Sequence, residues 1–125
     1  PLWSRGLGDV YKRQTVGGPS TRHLVNQPVL EALGPKGIIV NIARGPVIDE
    51  TALVAALDAG KLGCAALDVF EHEPKVPEAL TKSDNAVVLP HIGSATFETR
   101  LAMENLMLEN LQAYFDTGRV ITPVE

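Results

Sequence analysis

Residues 37–43, GIIVNIA, decide the fold. This compact β-branched run lies between Gly37 and the breaker Arg44-Gly45-Pro46, the pattern of a short strand buried on both faces of a parallel sheet. Working outward, Asp49 is the best N-cap in the chain, Ala52, Leu53, Ala56 and Leu57 recur behind it at helical spacing, and Gly60 ends that helix. Residues 64–69 (CAALDV) and 86–89 (AVVL) read as two further short buried strands, separated by an acidic, proline-punctuated loop over 71–83. On the upstream side, residues 15–21 (TVGGPST) read as a loop at the end of a strand. Asn26 then caps a short helix with Pro28 in its first turn and Gly34-Pro35 as its stop. Downstream, Ser94 or Thr96 caps a long helix reaching about Asp116, with Leu101, Leu108, Leu111 and Phe115 on one stripe. Met103, Met107 and Tyr114 broaden that stripe beyond what one neighbouring element would cover. Strand, helix, strand, helix, strand is the grammar of parallel pairing through right-handed crossovers. The expected architecture is α/β: half of a doubly wound parallel-sheet domain, with a long helix that packs elsewhere.

Composition narrows the function classes. The chain has 125 residues, 45% hydrophobic and 21% charged, as in a globular domain rather than a disordered or collagen-like chain. A formal net charge of −4 implies no basic face for nucleic acid or anionic lipid. Cys64, the single cysteine, excludes an internal disulfide framework; within its apolar strand it reads as an inert small hydrophobe. No apolar run is long enough to span a bilayer, and no signal-peptide pattern opens the chain, so an intracellular, cytoplasmic protein is expected. A complete nucleotide-binding α/β enzyme normally exceeds this length, so an enzymatic reading expects further chain.

Residues 1–14, PLWSRGLGDVYKRQ, differ from the rest. They carry Arg5, Lys12 and Arg13 against Asp9 alone, a net +2 beside −6 for residues 15–125. Their apolar positions follow neither period 2 nor period 3.6. Gly6-Leu7-Gly8 is no dinucleotide loop, because no buried strand precedes it and Tyr11 stands where the third glycine belongs. Either an ordinary exposed segment or a translated cloning adapter joined to a truncated gene accounts for this head, and the adapter is preferred.

Ligands of open parallel sheets bind beyond the carboxyl ends of the strands. Arg44 follows GIIVNIA, Asp68 ends the next strand with Glu73 five residues on, and His91 follows AVVLP. Each has an ordinary alternative: a surface arginine, a solvated glutamate, a loop histidine. Asp68 is harder to set aside, since a carboxylate ending an apolar strand needs a partner. All four on one edge point to a site. His23 and His72 are expected to be exposed, and a metal centre from Glu71, His72 and Glu73 lacks the spacing that aims ligands at one point, so no metal is expected.

The blocks NIARGPVIDETALVAALDAGKLGCAALDVFEHEP and LPHIGSAT resemble the D-isomer-specific 2-hydroxyacid dehydrogenases. Within that family, GGPSTRHLVN and ITPV look most like the hydroxypyruvate and glyoxylate reductases, and the likeness covers residues 15–125. The resemblance implies a Rossmann-type cofactor domain, with Arg44, Glu73 and His91 as catalytic residues. It implies NAD or NADP bound at Thr15, Ile42, Ala43, Arg44, Asp68, His91 and Gly93. Glu73 also separates the chain from the similar formate dehydrogenases, which carry glutamine there. Residues 1–14 then stand as a non-native head, 15–94 as the second half of the NAD(P)-binding domain, and 95–125 as the helix and tail returning to the substrate domain. The resemblance places the GxGxxG loop, the residue choosing NAD or NADP and most of the substrate domain upstream, so this segment alone is expected to be inactive. It implies a homodimeric oxidoreductase that reduces a small 2-oxo acid to a D-2-hydroxy acid. The alternatives are a corepressor-like binding protein on the same fold, or an inactive fragment.

Overall fold

The computed structural model describes residues 10–13, by their backbone, and residues 17–123. The chain forms two compact units, Pro1–His91 and Ile92–Glu125. In the first, β1 (Val10–Arg13), α1 (Gln27–Leu33), β2 (Ile38–Asn41), α2 (Glu50–Asp58), β3 (Cys64–Leu67), α3 (Glu78–Thr81) and β4 (Ala86–Val88) follow one another. The four strands are parallel and ordered β1-β2-β3-β4, so neighbours in sequence are neighbours in space.

The signals at Asp49 and Gly34 act as expected, whereas Asn26 stands at the start of α1 without a side-chain capping bond. Asp49 Oδ1 accepts from the Ala52 N–H at 3.0 Å, satisfying an orphan donor at the start of α2. Gly34 stands just past α1 at φ 75°, a left-handed turn that a residue with a Cβ resists. In the sheet, Ile39 lies opposite Ala65 and Asn41 opposite Leu67. That face packs with Leu30 of α1 and with Leu53, Ala56 and Leu57 of α2 into one core joined by Phe70 and Leu80. Leu30 and Leu53 are fully buried; truncating either to alanine would cost about 2–5 kcal/mol.

Four expectations are corrected here. β2, β3 and β4 are covered on one face rather than two: Ile38 is 40% and Val87 61% exposed. A sheet that advances in one direction through right-handed crossovers receives its helices on one side, so alternate residues of these three strands are left open. Cys64, on that other face, is exposed and not a core hydrophobe. The acidic stretch between β3 and β4 contains the one-turn helix α3, whose Leu80 reaches the core. A strand also forms at Val10–Arg13, inside the segment whose apolar pattern suggested no element. An edge strand is held by its backbone ladder and needs no buried side-chain period.

The second unit is dominated by α4 (Phe97–Thr117), capped by Thr96 Oγ1 accepting from the Thr99 N–H at 3.2 Å. Asn110 folds the tail back onto this helix: its Oδ1 accepts from the N–H groups of Ile121 and Thr122 at 2.9 and 3.0 Å. Leu101, Leu108, Leu111 and Phe115 of the predicted stripe are exposed. Among the described residues, no helix is long and apolar enough to cross a membrane.

Candidate active site

The carboxyl ends of β2, β3 and β4 each release a loop carrying polar groups. Beyond β2, Asn41 is almost completely buried and shapes the turn. Its Oδ1 accepts from the Ala43 N–H at 3.1 Å while its amide donates to the Arg44 carbonyl, also at 3.1 Å. This clasp presents Arg44 as an exposed side chain, with Nη1 donating to the Ala43 carbonyl at 2.7 Å. Gly45 follows in close contact with the next loop, where a Cβ would overlap the Phe70 carbonyl and the Glu71 nitrogen.

Beyond β3, Asp68 is 4% exposed and its N–H donates to the Asn41 carbonyl at 3.0 Å. The chain then curls so that Glu73 folds back on itself, Oε1 accepting from the Phe70 N–H at 3.0 Å. Glu73 Oε2 meets His91 Nδ1 at 2.8 Å. His91 stands at the end of the segment leaving β4, with φ 55°, a left-handed conformation that non-glycine residues hold only where their surroundings over-determine it. The hydrogen bond with His91, then that from Phe70, and the positive charges of His91 and Arg44 hold the Glu73 carboxyl below the usual carboxylate range. An ionised carboxylate only accepts, so the proton between the two lies on Nδ1 and His91 is the donor.

Arg44, Glu73 and His91 line one open cavity of about 1040 Å³, walled also by Phe70, Pro74 and Val76. Three of the four groups expected on this edge thus share a cavity. Asp68 lies buried at the end of β3 and is not among the lining residues. A fixed cation beside a carboxylate-bound imidazole is suited to hold an anionic substrate and exchange a proton with it.

Ile42, 41% exposed directly after β2, offers an apolar platform, and the buried Asp68 carboxylate ends the adjacent strand. An apolar platform next to an amide-accepting carboxylate fits the nicotinamide end of a dinucleotide. A second cavity of about 500 Å³ is lined by Gly17, Gly18, Thr21, Arg44, Pro46 and Val47. Ala43 is buried beneath Arg44's turn. Gly93 belongs to the second unit, and Thr15 lies outside the described residues.

His23 is a correction. It is half-buried, and its Nε2 lies 2.9 Å from Glu71 Oε1. Its polar sequence surroundings suggested exposure; the partner is 48 residues away and could not be read locally. His72 is exposed, as expected. Sequence reasoning also passed over Asn41 and Glu50, and weighed Glu71 only as a metal ligand. A polar residue inside an otherwise apolar strand was the available signal for Asn41; for the contacts of the two glutamates there was none.

Residues 14–93 match the NAD-binding domain of the D-isomer specific 2-hydroxyacid dehydrogenases. Hydroxyphenylpyruvate reductase of Plectranthus scutellarioides is 54% identical over 106 residues, covering 85% of this chain and 34% of that protein. Glyoxylate/hydroxypyruvate reductase A of Arabidopsis thaliana is 55% identical over 104 residues, 83% of this chain and 33% of the relative. Among solved structures, the NADPH-dependent glyoxylate/hydroxypyruvate reductase of Sinorhizobium meliloti, in complex with NADP and malonate, superposes with a TM-score of 0.91 at 50% identity. That match covers 93% of this chain and 36% of the other. The chain spans about a third of the length of the curated relatives it matches.

Proposed function

The chain belongs to the D-isomer specific 2-hydroxyacid dehydrogenase family through its NAD-binding domain, and from this premise we propose that it carries the catalytic edge of an oxidoreductase that reduces a small 2-oxo acid to a D-2-hydroxy acid. Hydroxypyruvate and glyoxylate are the substrates proposed, from the similarity to reductases bearing those names. The observation that carries the reading is the Glu73–His91 hydrogen bond of 2.8 Å in a cavity that Arg44 also lines.

Arg44 holds the substrate. Its planar guanidinium can grip the carboxylate with paired charge-assisted bonds and polarise the neighbouring carbonyl oxygen. The bond from Nη1 to the Ala43 carbonyl orients one end of that fork. His91 moves the proton: with Nδ1–H committed to Glu73, the other ring nitrogen donates to the oxygen on which negative charge develops, and accepts in the reverse direction. Glu73 fixes the tautomer and the orientation of the ring. Asp68, Thr15, Ile42, Ala43 and Gly93 would hold the nicotinamide end of NAD or NADP, which would supply hydride chemistry when bound. The enzyme is proposed to act as a cytoplasmic homodimer.

The test is reduction of hydroxypyruvate and glyoxylate by a polypeptide of the relatives' length carrying this segment, followed by loss of NADH or NADPH absorbance. His91→Ala is expected to lower kcat by about 10²-fold or more. Turnover near the unsubstituted level would refute the assignment. Cofactor binding with no turnover of any 2-oxo acid would instead favour a corepressor-like binding role.

A further inference from the structure

Glu71 lies two residues before Glu73 in the same loop and lines the same cavity together with Glu50, but its side chain is engaged by the turn before α1. Its side chain is largely buried and takes two nitrogen partners from the turn before α1: Arg22 Nη2 at 2.7 Å and His23 Nε2 at 2.9 Å from Oε1. Its backbone N–H donates to Glu50 Oε1, at the start of α2, at 2.6 Å. Burial pushes the Glu71 carboxyl up, but the His23 hydrogen bond and the charges of His23 and Arg22 outweigh it and hold the group below the usual range.

The turn that supplies Arg22 and His23 is itself tied to the segment after Arg44. The His23 N–H donates to the Pro46 carbonyl at 2.8 Å, the Val25 N–H to the Val47 carbonyl at 3.0 Å, and the Asp49 N–H returns to the Val25 carbonyl at 2.9 Å. His23 also shares with His91 a left-handed backbone, φ 50°, which persists only in a well-determined setting. The loop after β3 is therefore fixed at residue 71 by two elements, α2 and the turn at 22–23. Immediately beyond that fixed point the chain folds the Glu73 carboxylate onto the Phe70 N–H.

We propose that Glu71 is a positioning residue: the Arg22–His23–Glu71–Glu50 cluster ties the loop bearing Glu73 to the segment bearing Arg44 and so sets Glu73 against His91. The functional meaning rests on the catalytic reading above; the tie itself does not. Loops that lack such anchors open locally at low cost, and an open loop would leave His91 without its acceptor.

The tie is read by proton NMR of the 125-residue chain. Two signals report it, the exchange rate of the Phe70 amide and the hydrogen-bonded Nδ1–H resonance of His91. Glu71→Ala is expected to speed Phe70 exchange on the order of tenfold and to erase the Nδ1–H resonance. Glu71→Gln, whose amide oxygen still accepts from Arg22 and His23, is expected to restore both signals. Removing a remote ion pair with Glu31→Ala, which frees Lys61, should move neither. Should Glu71→Ala fail to fold, the Arg22→Ala/His23→Ala double variant removes the partners without altering the loop, and the same losses are expected. Unchanged exchange and an unchanged ring signal in the folded variants would overturn the positioning role while leaving catalysis by His91 untouched. Loss of both signals, beside undiminished turnover by His91→Ala in the longer polypeptide, would support the tie and refute only the catalytic reading.

Discussion

Gly45 is the point where the Arg44 turn and the Glu73 loop press together, and Gly45→Ala tests whether that contact organises the site. The added methyl would overlap the Phe70 carbonyl carbon and oxygen and the Glu71 nitrogen. All three are backbone atoms, so no side chain can swing aside. Restoring ordinary contact requires the loop to retreat by roughly 1.5 Å. Overpacking of this kind costs about 3 kcal/mol or more when the wall is rigid. Retreat would also break the bond from the Glu71 N–H to Glu50, leaving a buried acceptor short of its donor at about 1–3 kcal/mol. With a urea dependence of about 2 kcal/mol per molar for a chain of this size, the unfolding midpoint should fall by at least about 1.5 M. In the longer polypeptide, displacement of Glu73 by this distance should cost about 10²-fold in kcat. A midpoint within about 0.3 M of the unsubstituted chain, with retained turnover, would refute the claim that backbone contact at Gly45 sets the spacing of the two loops.

Other substitutions separate the roles of individual groups. Glu73→Gln puts a neutral amide where His91 Nδ1–H meets a carboxylate, weakening the charge-assisted bond that orients the ring, so kcat for reduction should fall about tenfold; an unchanged kcat would count against the pairing. The same carboxyl is held below its ordinary range, so its contribution to stability is present above the ordinary carboxylate pKa and lost as pH falls through the depressed value. Acid unfolding of Glu73→Gln should lack that component. Glu50 has the opposite sign: burial raises its carboxyl, only partly offset by the bond from the Glu71 N–H. Its favourable contribution is present below the ordinary glutamate pKa and lost as pH rises through the raised value. Relative to the unsubstituted chain, Glu50→Gln should therefore gain stability between about pH 4 and pH 8, whereas Glu50→Ala, which abandons the Glu71 N–H, should lose about 1–3 kcal/mol. Urea titrations at the two pH values decide both. Arg44→Lys should raise KM for the 2-oxo acid far more than KM for the dinucleotide, because an ammonium cannot reproduce the planar fork; equal effects on both would contradict the substrate-holding role.

Much of this was legible along the chain because it rests on local physics. The cap at Asp49, the stop at Gly34 and the β-branched run over Ile38–Asn41 act within a turn or a strand of themselves, and each element formed where it was expected. The carboxyl-end rule for parallel strands likewise brought Arg44, Glu73 and His91 to one edge. Three of the errors share a source. Burial of the second sheet face, the surroundings of Cys64 and the partner of His23 depend on what lies across the fold, and no local period encodes that.

The sequence by itself determined the α/β class, the order of the elements and the identity of the groups at the strand ends, since periodicity, capping and family resemblance are properties of residues in line. Only the tertiary structure decided that Glu73 turns one oxygen to its own loop and the other to His91. It also decided that Asn41 shapes the Arg44 turn from inside the core, and that Glu71, Glu50 and His23 meet at all. Such contacts join residues as far apart as 48 positions. Their geometry follows from how the crossovers stack loops at one end of the sheet, because hydrogen bonds depend on distances of a few tenths of an ångström that only the packed chain specifies.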